Sequence, residues 1–380
     1  MPEPLELDGA TSAVHLGREQ KVIPGVNPPI SMSTTYAATE AISYARSDNS
    51  TWRAFEEVVG ALEGGEAIAF SSGQAATAAV LSLLHSDSHL GLISDCYTGT
   101  RLLAESLDSR GAFRLRFVNP EQAIRAESIR DELRPNTPLA QEVTEMFWLE
   151  SPSNPMLRIY PIAEWAAARD KVPGSLLVVD NTIASPVLQR PLDLGADLVV
   201  HSASKILSGH SDVIMGVVVA RDKGLVDRIR DLRTLSGSIP GQFESYLAVR
   251  GIRTLYVRLE RSQENAIELA QRLVNRIGRE QIYFPGFSDS AEGSHSQMSG
   301  PGYMISVDLG SEVDAELFCK SLTLATYATS LGGVETLVER RARHKGERMT
   351  PPGLVRMSVG IEQVDDIWFD FDRALVAIGR

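Results

Sequence analysis

Five short apolar runs punctuate the chain between residues 67 and 202: AIAF (67–70), GLIS (91–94), FWLE (147–150), LLVVD (176–180) and LVVHS (198–202). Helical patterns fall between them, such as QAATAAVLSLL after Gly73 and IAEWAAARD from Ile162. Few architectures accept this alternation. Strands separated by helices cannot pair through tight turns, so they run parallel, and the helices cross over and cover both faces of the sheet. The expectation is an α/β fold built on a mostly parallel sheet, with VIMGVVVA (213–220) as an antiparallel edge strand.

At 380 residues the chain suits two α/β units rather than one small core. Residues 1–50 read as an arm rich in Pro, Gly, Ser and Thr (VIPGVNPPISMSTTY), with no sustained period. A helix is expected after Asn49 or Ser50, either of which can cap it, with Trp52, Phe55, Val59 and Leu62 on one apolar face and Gly64-Gly65 as its end. Residues 51–245 would form a large domain. The long pattern from Ser245 to Ile277, interrupted at Gly251, then leads into a smaller α+β domain over 246–380. Its strands are expected near 303–309 and 355–360, and its helices near 313–322 and 364–378.

Composition excludes several classes. The net charge of -12 leaves no basic footprint for nucleic acid. Two distant cysteines, Cys96 and Cys319, without a Cys/His cluster, argue against a disulfide framework or a structural metal site. No uncharged apolar run approaches the ~18 residues of a membrane span. The N-terminus lacks the basic-then-apolar order of a secretory signal, so a reducing cytoplasm is the expected location.

The residues that carry chemistry follow the strands, where ligands sit in sheets of this kind. Ser71-Ser72-Gly73-Gln74 opens a helix and offers backbone N–H groups to a phosphate; taken alone it is an ordinary strand-to-helix turn. Tyr97 follows the next strand and suits either packing or stacking on a planar group. Glu150 at a strand end needs a partner or a proton. Asn154, between small and Pro residues, is a turn or a donor.

Asp180 ends LLVVD, and Lys205 follows the next strand within HSASK. Asp180 could cap a following helix. The pair also supplies what pyridoxal phosphate needs: a carboxylate for the pyridinium nitrogen and an amine for the aldehyde. Ser202 and Ser204 can bond a phosphate. Ser202-x-x-Lys205 matches the SxxK of penicillin-recognising serine hydrolases, but their SDN and KTG partners are absent from the chain.

In order, YARSDNST, FSSGQAA, DCYTGT, WLESPSNP, VVDNT, HSASK with GHSD, SLGGVET and RMSVGIE resemble the transsulfuration (cysteine/methionine-metabolism) family of fold-type-I pyridoxal phosphate enzymes. The likeness runs from about Tyr36 to Gly360. It implies a fold-type-I architecture with a seven-stranded sheet, pyridoxal 5'-phosphate as cofactor, and a homotetramer of catalytic dimers with shared active sites. By the same resemblance, Gly73, Gln74, Ser202 and Ser204 hold the phosphate, and Tyr44 and Arg46 reach the phosphate of a neighbouring subunit. Tyr97 stacks on the ring, Asp180 binds its nitrogen with Thr182 nearby, and Lys205 forms the covalent bond. Asn154, Ser330 and Arg356 hold the α-carboxylate of a sulfur amino acid substrate, and Glu335 meets a distal amino group.

The activity implied is γ-elimination of L-cystathionine, with γ-replacement on an activated homoserine ester as the alternative. From a different class, a non-catalytic relative would keep the fold; the intact set of Asp180, Lys205, Tyr97 and Arg356 argues against it. The chain departs from the family pattern in several places. Asp48 and Ser50 stand where Gly and Pro are usual, Gln74 replaces an apolar residue, and Thr336 replaces Ser. RRARHKGERMTPPG (340–353) lacks the usual loop, and Gly99 stands where methionine-cleaving members carry Cys.

Overall fold

The computed structural model describes residues 7–18, 26–38, 42–124, 145–287, 297–344, 346–347 and 350–380. Parts of the expected arm (1–6, 19–25 and 39–41), and Lys345, Arg348 and Met349 of the 340–353 stretch, lie outside the described residues.

Seven strands form the larger sheet: β1 (Glu66–Phe70), β2 (His89–Ile93), β3 (Arg114–Val118), β4 (Glu145–Glu150), β5 (Ser175–Asp180), β6 (Leu198–Ser202) and β7 (Gly216–Ala220). Their order is β1-β7-β6-β5-β4-β2-β3. The β3-β2-β4-β5-β6 run is parallel, and β7 lies antiparallel to both β6 and β1. The 213–220 strand is therefore antiparallel as expected but is not at the edge: β1 covers its free side. All five residues of β7 are buried, which suits an interior strand.

β3 was not expected. Its sequence RLRFV interleaves arginines with apolar residues, the pattern of a half-exposed edge strand.

Helix Ser50–Glu63 is capped by Asn49, whose side chain accepts from the Thr51 N–H, and it ends at Gly64 in the left-handed conformation. It packs on one face of the sheet with helix Gln242–Ile252, around Trp52, Phe55, Val199 and Val217. The other face is covered around Ile68, Leu92, Trp148, Val178 and Trp165. The break in the long helical pattern falls at Arg253 and Thr254 rather than at Gly251. Gly251 has a packing role instead: a Cβ there would lie 2.1 Å from the Ser208 carbonyl, so only glycine lets this helix approach the 203–209 segment.

Helix Leu255–Ile277 leads into the second sheet, β8 (Ile282–Tyr283), β9 (Met304–Asp308), β10 (Thr326–Tyr327), β11 (Leu337–Arg340) and β12 (Leu354–Ser358). Its order is β10-β11-β12-β9-β8. Helices Glu312–Ser321 and Val364–Ala377 share its core through Phe318, Phe371 and Leu375. Among the described residues no helix is long and apolar enough to cross a membrane.

Candidate active site

A cavity of about 600 Å³ opens at the carboxyl ends of β4, β5 and β6 and is closed on its far side by the 328–331 loop, Arg341 and β12. It gathers Gly73, Gln74, Tyr97, Asn154, Asp180, Thr182, Ser202, Ser204, Lys205, Ser330 and Arg356, which come from widely separated parts of the chain. Register explains half of this convergence. Glu150 pairs with Asp180 and Asp180 with Val200, so β4 and β5 end level and β6 runs two residues further, to Ser202.

Ser72 caps helix Gly73–Leu81 by accepting from the Ala75 N–H at 3.0 Å. The first-turn amides have no intrahelical acceptor and lie at the positive end of the helix dipole, an arrangement suited to an anion. A Cβ on Gly73 would come within 2.9 Å of the Ser202 Cβ, so glycine is needed for the helix end and the β6 end to converge. The Gln74 side chain donates to the Gly99 carbonyl at 2.9 Å. That bond ties the helix end to the segment after Tyr97 and gives this departure from the family pattern a structural task.

The Asp180 carboxylate accepts from the Thr182 N–H at 3.0 Å and from the Thr182 hydroxyl at 2.5 Å. The Ser202 N–H in turn donates to that hydroxyl oxygen at 2.9 Å. Burial pushes the Asp180 carboxyl above its usual range, opposed by these Thr182 bonds and by His201. An acceptor held at a strand end with an upward bias gains most from a cationic partner such as a protonated pyridine nitrogen. Glu150, also buried, is pushed well above its usual range by desolvation and by the neighbouring Asp180 charge, and it accepts from the Tyr97 N–H at 2.5 Å. The Tyr97 side chain itself is 47% exposed, and its ring forms part of the cavity wall.

Lys205 donates to the Ser330 hydroxyl at 2.9 Å. Its pKa falls to about 8, chiefly through burial, then through the charges of Arg356 and Arg341. The 203–209 segment around it is braced from behind by Arg258, whose buried guanidinium donates to the carbonyls of Ile206, Leu207 and Gly251. Ser330 sits at φ +97°, in the left-handed region, and its carbonyl accepts from Arg356 at 2.8 Å. Arg356 also donates to Asn154 Oδ1 at 3.0 Å and to Glu339 at 3.2 Å. These three bonds fix the plane of its guanidinium.

Three expected site residues lie apart from this cavity, and one within it is already engaged. Glu335 is exposed and does not line the wall; it accepts from Ser211 at 3.2 Å, and Ser211 does line it, which puts Glu335 at the rim. Tyr44 and Arg46 are exposed, with the Arg46 guanidinium 5.8 Å from the centre of the Tyr44 ring, and neither lines the cavity of its own chain. Ser204 lines the cavity, but its hydroxyl exchanges hydrogen bonds with the N–H and carbonyl of Met215 at 3.0 and 3.2 Å.

Sequence reasoning missed Arg341, a second guanidinium in the wall, and the buried Glu339 that accepts from both Arg341 and Arg356. The RRARH run announced charge there, but nothing in its spacing said that Arg341 points inward.

A phosphate cradle that a Cβ would fill, a buried carboxylate at a strand end and a desolvated lysine fit a pyridoxal phosphate site of fold type I. A family model described as Cys/Met metabolism PLP-dependent enzyme matches residues 10–376. The chain belongs to this family and is a pyridoxal 5'-phosphate-dependent enzyme of sulfur amino acid metabolism. It is 38% identical over 387 residues to a cystathionine beta-lyase of Coxiella burnetii, covering 96% of this chain and 97% of that one. It is also 38% identical over 367 residues to a cystathionine gamma-lyase of Bacillus subtilis, covering 92% and 94%. The crystal structure of a cystathionine gamma synthase from Xanthomonas oryzae pv. oryzae superposes with a TM-score of 0.90 at 35% identity, covering 99% of both chains.

Proposed function

We propose that this enzyme is a cystathionine γ-lyase, a carbon–sulfur lyase that converts L-cystathionine and water to cysteine, 2-oxobutyrate and ammonia. Pyridoxal 5'-phosphate, when bound, supplies an electron-withdrawing ring that stabilises negative charge on the substrate. The amides of Gly73 and Gln74 and the hydroxyl of Ser202 would hold its phosphate, Tyr97 its ring face and Asp180 its nitrogen; the Ser204 hydroxyl stays with the Met215 backbone. In a homotetramer, Tyr44 and Arg46 would serve the neighbouring subunit's phosphate, a role that suits their exposure and their distance from their own cavity.

Arg356, Asn154 and Ser330 would bind the substrate α-carboxylate. That places the Cα proton near Lys205, because Ser330 already touches the lysine amine. An amine with a pKa of about 8 can take a proton from Cα, pass it on and then take one from Cβ near neutral pH. The Tyr97 side chain, at the cavity wall, would exchange a proton with the incoming amine and give one to the departing thiolate.

The observation that supports a substrate with an amino acid at each end is Glu335, an acidic residue where the family's γ-acting members commonly carry one. Its exposed carboxylate at the rim, held by Ser211, can pair with the distal ammonium of a substrate whose other end lies against Arg356. Product analysis tests the reading, with L-cystathionine as the sole substrate of the cofactor-loaded enzyme. Cysteine with 2-oxobutyrate is expected. Homocysteine with pyruvate would mean β-cleavage. No turnover, with cystathionine formed from an activated homoserine ester and cysteine, would assign the synthase reaction instead.

A further inference from the structure

On the face of the large sheet opposite the cavity lies a buried polar network that the reaction does not use directly. Side chains alternate along β6, so His201 points away from the cavity that Ser202 lines. There it meets Glu63, the last residue of helix Ser50–Glu63; both side chains are fully buried. One carboxylate oxygen of Glu63 bonds to His201 Nε2 at 2.6 Å and accepts from Asn181 Nδ2 at 2.8 Å. Asn181 Nδ2 also donates to the Gln189 carbonyl at 2.8 Å. Gln189 Nε2 donates to Asn181 Oδ1 at 3.0 Å and to the Ser151 carbonyl at 2.7 Å. The network therefore reaches the residues just after β4 and β5 as well as the end of β6.

The arrangement mirrors the one on the cavity face. There, Thr182 links Asp180 to Ser202. Behind, Glu63 links Asn181 to His201, the chain neighbours of that same Asp180 and Ser202. The β5 and β6 ends are stitched on both faces.

A buried ionisable pair is a poor source of net stability, whereas a connected buried network selects one arrangement. The other Glu63 oxygen and His201 Nδ1 have no hydrogen-bond partner among the described residues, so stability alone does not explain the pair.

We propose that Glu63, acting through Asn181 and His201, is a positioning residue that holds Asp180 in the orientation needed to pair with the cofactor's ring nitrogen. The inference rests on the assignment of Asp180 to that nitrogen. The influence of His201 on the Asp180 carboxyl, opposite in sign to that of burial, agrees with it.

The test uses cofactor-free full-length protein and two probes: pyridoxal 5'-phosphate and its analogue with carbon in place of the ring nitrogen. Wild type should bind the natural cofactor more tightly than the analogue. Glu63→Gln should reduce that preference about tenfold, the scale of one hydrogen bond to a charged group, while analogue affinity stays nearly unchanged. His201→Leu should behave alike, and His201→Gln, which keeps a donor facing Glu63, should retain most of the preference. These two variants decide the matter if Glu63→Gln does not fold. Equal weakening toward both probes, or an intact preference, would overturn the positioning role. A wild type that does not discriminate would overturn the Asp180 assignment itself, and the inference with it.

Discussion

The Lys205 amine donates to the hydroxyl of Ser330 at 2.9 Å, across the gap between the two sheets. Lys205 follows β6 of the larger sheet, and Ser330 lies on the loop between β10 and β11 of the smaller one. Through its carbonyl, Ser330 also receives Arg356. The lysine amine and the guanidinium proposed to hold the substrate are thus two hydrogen bonds apart, joined by Ser330, whose backbone is left-handed.

The lysine is costly to the apoprotein. Its pKa drops from 10.5 to about 8 on folding, so between those values the unfolded chain binds a proton that the folded chain has released. Stability should therefore rise with pH through that window, and below about 8 the full penalty persists. Cofactor-free Lys205→Met is expected to melt at a higher temperature than cofactor-free wild type at pH 7, by the equivalent of roughly 1–3 kcal/mol. The gap should close as the pH approaches 10.5. Melting curves across that range check it, and a gap independent of pH would contradict it.

Glu339 neutralises a dense positive cluster. It accepts from Arg341, Arg343, His344 and Arg356, and these partners hold its pKa near 2 against the opposing effect of burial. Its contribution is present above the unfolded value of 4.5 and is lost as pH falls toward 2. Glu339→Gln leaves the buried Arg356 guanidinium without its carboxylate partner and should destabilise the protein by about 3–5 kcal/mol, measured by denaturant unfolding at pH 7. The loss relative to wild type should shrink at acid pH.

Glu335 should affect substrate binding rather than chemistry. Glu335→Ala is expected to raise KM for L-cystathionine roughly two- to fivefold, the scale of an exposed ion pair, with kcat little changed. An S-alkyl homocysteine, which has no distal amino group, should show no such change. A loss in kcat for both substrates would place Glu335 in the proton-transfer path instead.

Gly73→Ala brings a Cβ to 2.9 Å from that of Ser202 and should spread the phosphate cradle. The dissociation constant for pyridoxal 5'-phosphate should rise at least about tenfold. The cofactor-free protein should also melt somewhat lower, since a Cβ at 2.9 Å forces the helix end and the β6 end apart.

Much of the fold was legible because parallel strands buried on both faces are written as continuous apolar runs, and β4, β5 and β6 are such runs. β3 was not, because its arginines belong to an exposed edge. The position of β7 was not, because its neighbour β1 comes from a distant part of the sequence and only topology joins them.

The site divides in the same way. Asp180, Ser202 and Lys205 stand next to strand ends that the sequence marks. Arg341 and the Glu63–His201 pair depend on which way a side chain points across a sheet or a loop, and no local pattern records that. Ser204 illustrates the converse: its residue type suggested a phosphate ligand, while the backbone of Met215 already occupies its hydroxyl.

The most direct measurement is borohydride reduction of the cofactor-loaded protein, followed by proteolysis and mass spectrometry. The account predicts a pyridoxyl phosphate adduct on Lys205 and its absence from the Lys205→Ala variant, which should also lose visible absorbance and turnover. An adduct on another lysine, or an unmodified Lys205 in fully loaded protein, would contradict the assignment of this cavity as the active site.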